Sequence, residues 1–243
     1  MSRLRATCAL LAASVVAAAP QPPGALFNLT SFTLQLPVAA GGGGVQEVKW
    51  PALATYTSQY FYTDAADGNA MAFFCPENGA TTSGSGFPRS ELRENVDFDL
   101  RKGSLHVLNA TVAVTATAGG TSITIGQAHI DGVQHACSIF LELEWTAAGD
   151  IAAHLRDKAC KGVTKTVARG VKLGDKLAYS VVVAGDTLTV TTDRGSLAPY
   201  SYTWLKTSTP VYFKAGDYYQ GTGSSASQGG AVKIYALSTS HSN

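Results

Sequence analysis

The sequence predicts an all-β fold, an antiparallel β-sandwich of jelly-roll type, on three observations. No stretch beyond the N-terminus sustains a 3.6-residue apolar period over a normal helix length. Short runs rich in Val, Thr, Ile and Tyr recur instead, with the period-2 alternation of half-buried strands. The 25 glycines and several turn signals break those runs at short intervals, with no helical crossovers between them. A chain of 243 residues is long enough to bury one large core, and neither an internal repeat nor a linker divides it.

The first element is a leader. Arg3 and Arg5 form a positive start, Ala6 to Ala19 an apolar run, and Val16-Ala17-Ala18 a small-residue cleavage point. Residues 1–18 are expected to be a signal peptide and 19–243 a single secreted domain. The apolar run, about 14 residues, is too short to span a bilayer core of roughly 30 Å, so no membrane association is expected. Without the leader the chain is formally near −1, and with charged residues at 14% a nucleic-acid partner is not expected.

Phe32 to Leu36 alternates as a strand, and Gly41 to Gly44 is a flexible break; no Lys-Ser or Lys-Thr follows it, as a phosphate loop would require. Ala70 to Phe74 is an apolar strand. Pro76 to Gly86, rich in Gly, Ser and Thr, reads as a long loop placed to overhang a cleft. Further strands are expected at residues 104–117, 121–130, 138–145, 151–156, 176–184, 187–193, 211–214 and 232–238. Gly185-Asp186 supplies a two-residue hairpin turn.

Cys137 and Cys160 flank the hairpin formed by the 138–145 and 151–156 runs. Folding it about Ala148-Gly149-Asp150 brings them opposite each other, so a disulfide is expected. Cys75 is then a buried free thiol. Asn28-Leu29-Thr30 and Asn109-Ala110-Thr111 are glycosylation sequons if the source cell is eukaryotic.

Three segments do not read as core strands. In Arg89-Ser90-Glu91-Leu92-Arg93 alternation puts Arg89, Glu91 and Arg93 on one face, two guanidiniums with a carboxylate to hold them; an exposed ion-pair ladder is the plainer explanation. In Gly126-Gln127-Ala128-His129-Ile130, Gln127 and His129 share a face. Ile123 and Ile125 have the same parity, so either Gly126 introduces a bulge or a loop covers those side chains. In the third, Tyr212 to Gln220, a common face carries Tyr212, Lys214, Tyr218 and Gln220. Asp217 has the opposite parity and is expected at the core rim or in solvent. His106, His135, His154 and His241 lack polar company of this kind. No His, Cys or acidic spacing fits a zinc site, and neither metal nor cofactor is expected.

Taken in order, Arg89-Ser-Glu-Leu-Arg93, Gln127-Ala-His129 and Tyr212-Phe-Lys-Ala-Gly-Asp-Tyr-Tyr-Gln220 resemble the three signature segments of the alginate lyases of polysaccharide lyase family seven. The resemblance implies a jelly roll whose concave sheet binds an anionic polysaccharide, alginate or a related polyuronate, and a monomeric enzyme that cleaves it by β-elimination, endo-acting. It implies that Arg89 and Gln127 hold the uronate carboxylate, His129 takes the C5 proton and Tyr218 protonates the leaving oxygen. Glu91 would orient the arginines; Arg93, Tyr212, Lys214 and Gln220 would contact sugars, with Lys214 or Arg93 close to Tyr218. The family usually has Ile or Val where this chain has Ala128, a position associated with block preference, which stays open.

Two other classes compete. A glycoside hydrolase on a similar jelly roll needs two carboxylates about 5 to 9.5 Å apart. Glu142 and Glu144 share a strand face but read as a solvent face without a basic cluster. A non-catalytic carbohydrate-binding module would need neither His129 nor Tyr218.

Overall fold

The structure, a computed structural model, describes residues 19–131 and 137–242. The expected signal peptide and His135 lie outside the described residues. Fifteen strands follow one another: β1 (Phe32–Ala39), β2 (Val45–Lys49), β3 (Phe61–Asp64), β4 (Ala70–Pro76), β5 (Arg89–Glu94), β6 (Leu105–Ala116), β7 (Ile123–Ile130), β8 (Ile139–Trp145), β9 (Ile151–Arg156), β10 (Gly162–Ala168), β11 (Leu177–Ala184), β12 (Thr187–Thr192), β13 (Gly195–Ser201), β14 (Val211–Tyr219) and β15 (Gly229–Ser242). The helical pieces are short, Pro23–Leu26, Ala52–Ala54 and Ala118–Gly120, and no helix among the described residues is long and apolar enough to cross a membrane.

Two sheets face each other, one of eight strands ordered β10-β9-β8-β7-β14-β5-β1-β2 and one of seven ordered β13-β12-β11-β6-β15-β4-β3. Every strand pairing is antiparallel. The chain crosses between sheets at each of β5, β6, β7 and again at β13, β14, β15. That crossing makes the centre of the eight-stranded sheet from three distant segments, β7, β14 and β5. The Gly185-Asp186 turn joins β11 and β12 with Ala184 opposite Thr187, as the sequence predicts.

Between the sheets lies one apolar core, built from the inward residues of both, with Phe32, Phe61, Phe73, Phe140, Tyr202, Phe213 and Tyr219 among its largest members. The Tyr202 hydroxyl donates to the Phe140 carbonyl, which satisfies its polar end. Cys137 and Cys160 form the expected disulfide, their Cα atoms 5.4 Å apart. Cys75 is free and buried, and burial pushes its thiol well above the ordinary range.

Polar groups also occupy the interface between the sheets. Glu94, fully buried, accepts from His241 Nε2 (3.0 Å) and from the Phe213 backbone N–H (3.4 Å), and His241 meets His106 at 3.1 Å. These two histidines therefore have company, contrary to expectation, because β6 and β15 lie side by side. Asp217 corrects a second expectation: it is wholly buried rather than at the rim. It sits across from Ser90 on the inward face, so close to β15 that a Cβ on Gly230 would lie 2.5 Å from its Oδ1. Burial, with the Glu91 carboxylate nearby, raises its pKa well above the usual range.

Both sequon asparagines, Asn28 and Asn109, are exposed. Asn109 lies on β6, the middle strand of the seven-stranded sheet.

Candidate active site

The three polar segments become the adjacent strands β5, β14 and β7, and registration aligns their side chains. Lys214 is cross-strand from both Arg93 and Gln127, Tyr218 from Arg89, and Tyr212 from His129. Side chains of paired residues project to the same side of a sheet, so Arg89, Arg93, Gln127, His129, Tyr212, Lys214 and Tyr218 converge on one cleft of about 520 Å³.

A register shift makes this possible on β7. Thr124 pairs with Glu144 of β8 but Gly126 pairs with Leu143, one residue out of step. The bulge turns Ile123 and Ile125 inward and Gln127 and His129 outward, the first of the two alternatives the sequence left open. Gly126 is required there: a Cβ would lie 2.5 Å from Tyr179 Oη, which donates to the Ile125 carbonyl at 3.0 Å.

Glu91 is the hub beneath the cleft. It is completely buried and accepts from Gln127 Nε2 (2.5 Å), Lys214 Nζ (2.5 Å) and Arg89 Nη1 (3.2 Å). Two cations against one carboxylate leave this buried cluster net positive, which suits a site that must receive another anion. Those partners hold the Glu91 carboxyl below its usual range despite the cost of burial. Lys214 is nearly as buried, and desolvation pulls its ammonium below the ordinary lysine range.

The arrangement corrects one expectation, that Glu91 orients both arginines. Arg93 instead pairs with Asp131 at 3.2 Å and lies 3.9 Å over the Tyr212 ring. It is Arg89, not Lys214 or Arg93, that covers Tyr218, its guanidinium carbon 3.8 Å from the ring centroid. Arg89 and Arg93 lie four residues apart on β5, one on each side of Glu91, and the carboxylate is taken by Arg89, Lys214 and Gln127 while Arg93 turns to Asp131.

His129 has one ring nitrogen committed. Its Nδ1 lies 3.0 Å from the Ile130 carbonyl, which can only accept, so Nδ1 carries the proton and the Nε2 lone pair is free. The Tyr212 hydroxyl is 3.1 Å from the same Nδ1, and its ring stacks on the imidazole at 5.3 Å. Burial, then the Lys214 charge, lowers the His129 pKa to about 4, so the imidazole is neutral across the physiological range.

Gln220 does not join the cleft. Strand β14 ends at Tyr219, and the Gln220 amide turns back to donate to Thr124 Oγ1 (3.1 Å) and the Tyr218 carbonyl (3.2 Å). Lining residues that the sequence did not single out for the cleft include Gln35, Ser85, Asp131 and Glu142. Glu142, expected on a solvent face, is cross-strand from Gln127 and half-buried in the cleft, and burial raises its pKa. Its sequence signal was the strand parity shared with Gln127 across the β7–β8 pair. Ser85, on the loop before β5, carries no such signal. Among the described residues no group of three His, Cys, Asp or Glu is placed to hold a metal ion.

Comparison with known proteins agrees with this geometry. No curated protein matches the chain in sequence. Among solved structures, alginate lyase A1-II′, a member of polysaccharide lyase family 7, superposes with a TM-score of 0.79 at 29% identity, covering 91% of this chain and 99% of that one. An alginate lyase from Pseudomonas aeruginosa gives a TM-score of 0.77 at 26% identity over 88% and 99% of the two chains. The enzyme from Corynebacterium sp. gives 0.77 at 26% identity over 92% and 100%. A variant of A1-II′ with one histidine changed to asparagine and one tyrosine to phenylalanine is in complex with substrate (GGMG), and a variant carrying only the tyrosine change is in complex with product (GGG). The family described as alginate lyase matches residues 27–241, nearly the whole described chain, and this protein belongs to it.

Proposed function

We propose that the protein is a secreted alginate lyase that cleaves the polymer internally by β-elimination. The observation that carries the reading is a neutral imidazole with a free Nε2, set in a cleft floored by the buried cations Arg89 and Lys214. In a 4-linked uronate the C5 hydrogen becomes acidic only when the adjacent carboxylate is neutralised. Arg89, Gln127 and Lys214 surround the place where that carboxylate would be held, and their donors strengthen as charge moves into it.

His129 then takes the C5 proton on Nε2. The electron pair of that C–H bond forms the C4–C5 double bond, the C4–O bond breaks, and the Tyr218 hydroxyl protonates the departing oxygen. For mannuronate, whose C5 hydrogen lies on the other face, Tyr218 serves as both acid and base. Arg93 and Tyr212, stacked together beside His129, bind neighbouring sugars. The A1-II′ complexes, obtained with changes at a histidine and a tyrosine, support the choice of these two residue types.

The test is ultraviolet absorbance of the unsaturated uronate end, with purified protein on alginate, its homopolymer blocks and glucuronan. Signal on alginate is expected, with viscosity lost well before most linkages are cut; glucuronan as the preferred substrate would move the enzyme to another polyuronate. His129→Ala and Tyr218→Phe should each lower kcat by about 100-fold or more while polymer binding persists. Near-normal turnover by either variant on every accepted polymer would remove its assigned role.

A further inference from the structure

We infer that Ser85, on the loop between β4 and β5, is a positioning residue that stabilises Tyr218 after it has given up its proton. The inference rests on the lyase reading above. Ser85 Oγ lies 3.0 Å from Tyr218 Oη. The same oxygen accepts from Arg89 Nη2 at 2.9 Å and from the Phe87 backbone N–H at 3.2 Å. A hydroxyl oxygen has two lone pairs and one proton. Both lone pairs are therefore in use, and Ser85 can hydrogen-bond Tyr218 only by donating its proton.

That proton has two acceptors in reach, Tyr218 Oη and the Phe87 carbonyl, also at 3.0 Å. While Tyr218 retains its own proton for the departing oxygen, the Phe87 carbonyl is the better acceptor. Once the phenol O–H bond breaks and an O–H bond forms on the leaving sugar, Tyr218 carries a full negative charge. The Ser85 O–H then turns from the carbonyl to the phenolate and keeps its own proton throughout. As product leaves, His129 gives the C5 proton to solvent and solvent returns one to Tyr218, so the protons balance.

A contact that strengthens only as charge develops accelerates the chemical step rather than binding. Arg89 reinforces it twice, by donating to Ser85 and by lying over the Tyr218 ring. The loop is fixed well enough for this. Thr81 bridges Pro88, Ser85 N–H donates to the Thr82 carbonyl at 3.1 Å, and Phe87 meets Tyr218 edge-on at 6.4 Å.

The experiment compares wild type, Ser85→Ala and Ser85→Thr on alginate, with kcat and KM determined separately. The alanine variant should lose about 100-fold in kcat, the scale of one lost donor to a developing oxyanion, with KM within about twofold. Threonine, which restores the hydroxyl, should recover most of the loss. An alanine variant with kcat near wild type, a change confined to KM, or a threonine variant as slow as alanine would each overturn the inference while leaving the lyase reading intact. A wild-type protein that releases no unsaturated ends from any polyuronate would instead overturn both.

Discussion

His129 shows how one side chain receives its chemical role from its surroundings. A carbonyl fixes its tautomer, a phenol packs its ring, and burial beside a cation keeps it unprotonated. Its lowered pKa sets a direction for the pH profile. On the proposed mechanism protonation of His129 abolishes turnover, and kcat/KM reports the free enzyme, so the acid limb should fall near pH 4 rather than at the unperturbed value of about 6.5. A limb near the unperturbed value would mean that water reaches the imidazole more freely than the packing of Tyr212 allows. At this scale the sequence was a good guide where strand parity applies. It picked out Arg89, Gln127, His129, Tyr212, Lys214 and Tyr218 because each alternates on a strand. It misplaced Gln220, since parity says nothing about where a strand ends, and although it set the loop of residues 76–86 over a cleft it did not single out Ser85 within that loop.

Strand β7 illustrates what an element adds. Its bulge at Gly126 lets one short segment supply both core and cleft, and the missing Cβ is what allows Tyr179 to pack against it. Gly126→Ala should therefore cost about 1 to 3 kcal/mol, visible as a Tm lowered by several degrees, and should reduce turnover by displacing Gln127. An unchanged Tm would show that Tyr179 yields without cost. Among the elements, four strands escaped the sequence: β2, β3, β10 and β13. They are the four edges of the two sheets. An edge strand pairs on one side only and exposes more of its length, so its apolar alternation is faint; Gly162 to Ala168 is exposed or half-exposed through its first five residues. Interior strands, covered by neighbours on both sides, announced themselves.

For the molecule as a whole, the sandwich places a fully buried carboxyl in its middle. Burial makes the Asp217 carboxyl hold its proton more tightly in the folded than in the unfolded chain, so the folded state binds more protons and stability declines as pH rises above the ordinary carboxylate range. Asp217→Asn should be neutral near about pH 4 and increasingly stabilising toward about pH 7, by up to about 1.4 kcal/mol per pH unit. Urea denaturation at the two pH values checks this; a stability gain independent of pH would mean that the carboxyl is not the source.

The two sheets also give the molecule a front and a back. The cleft occupies the outward face of the eight-stranded sheet, whereas Asn109 is exposed on the central strand of the other sheet. Anything attached at Asn109, whether a glycan or a chemical linker to a solid support, would hold the protein by its back. An enzyme immobilised there would present its cleft outward, open to a long polymer passing across it.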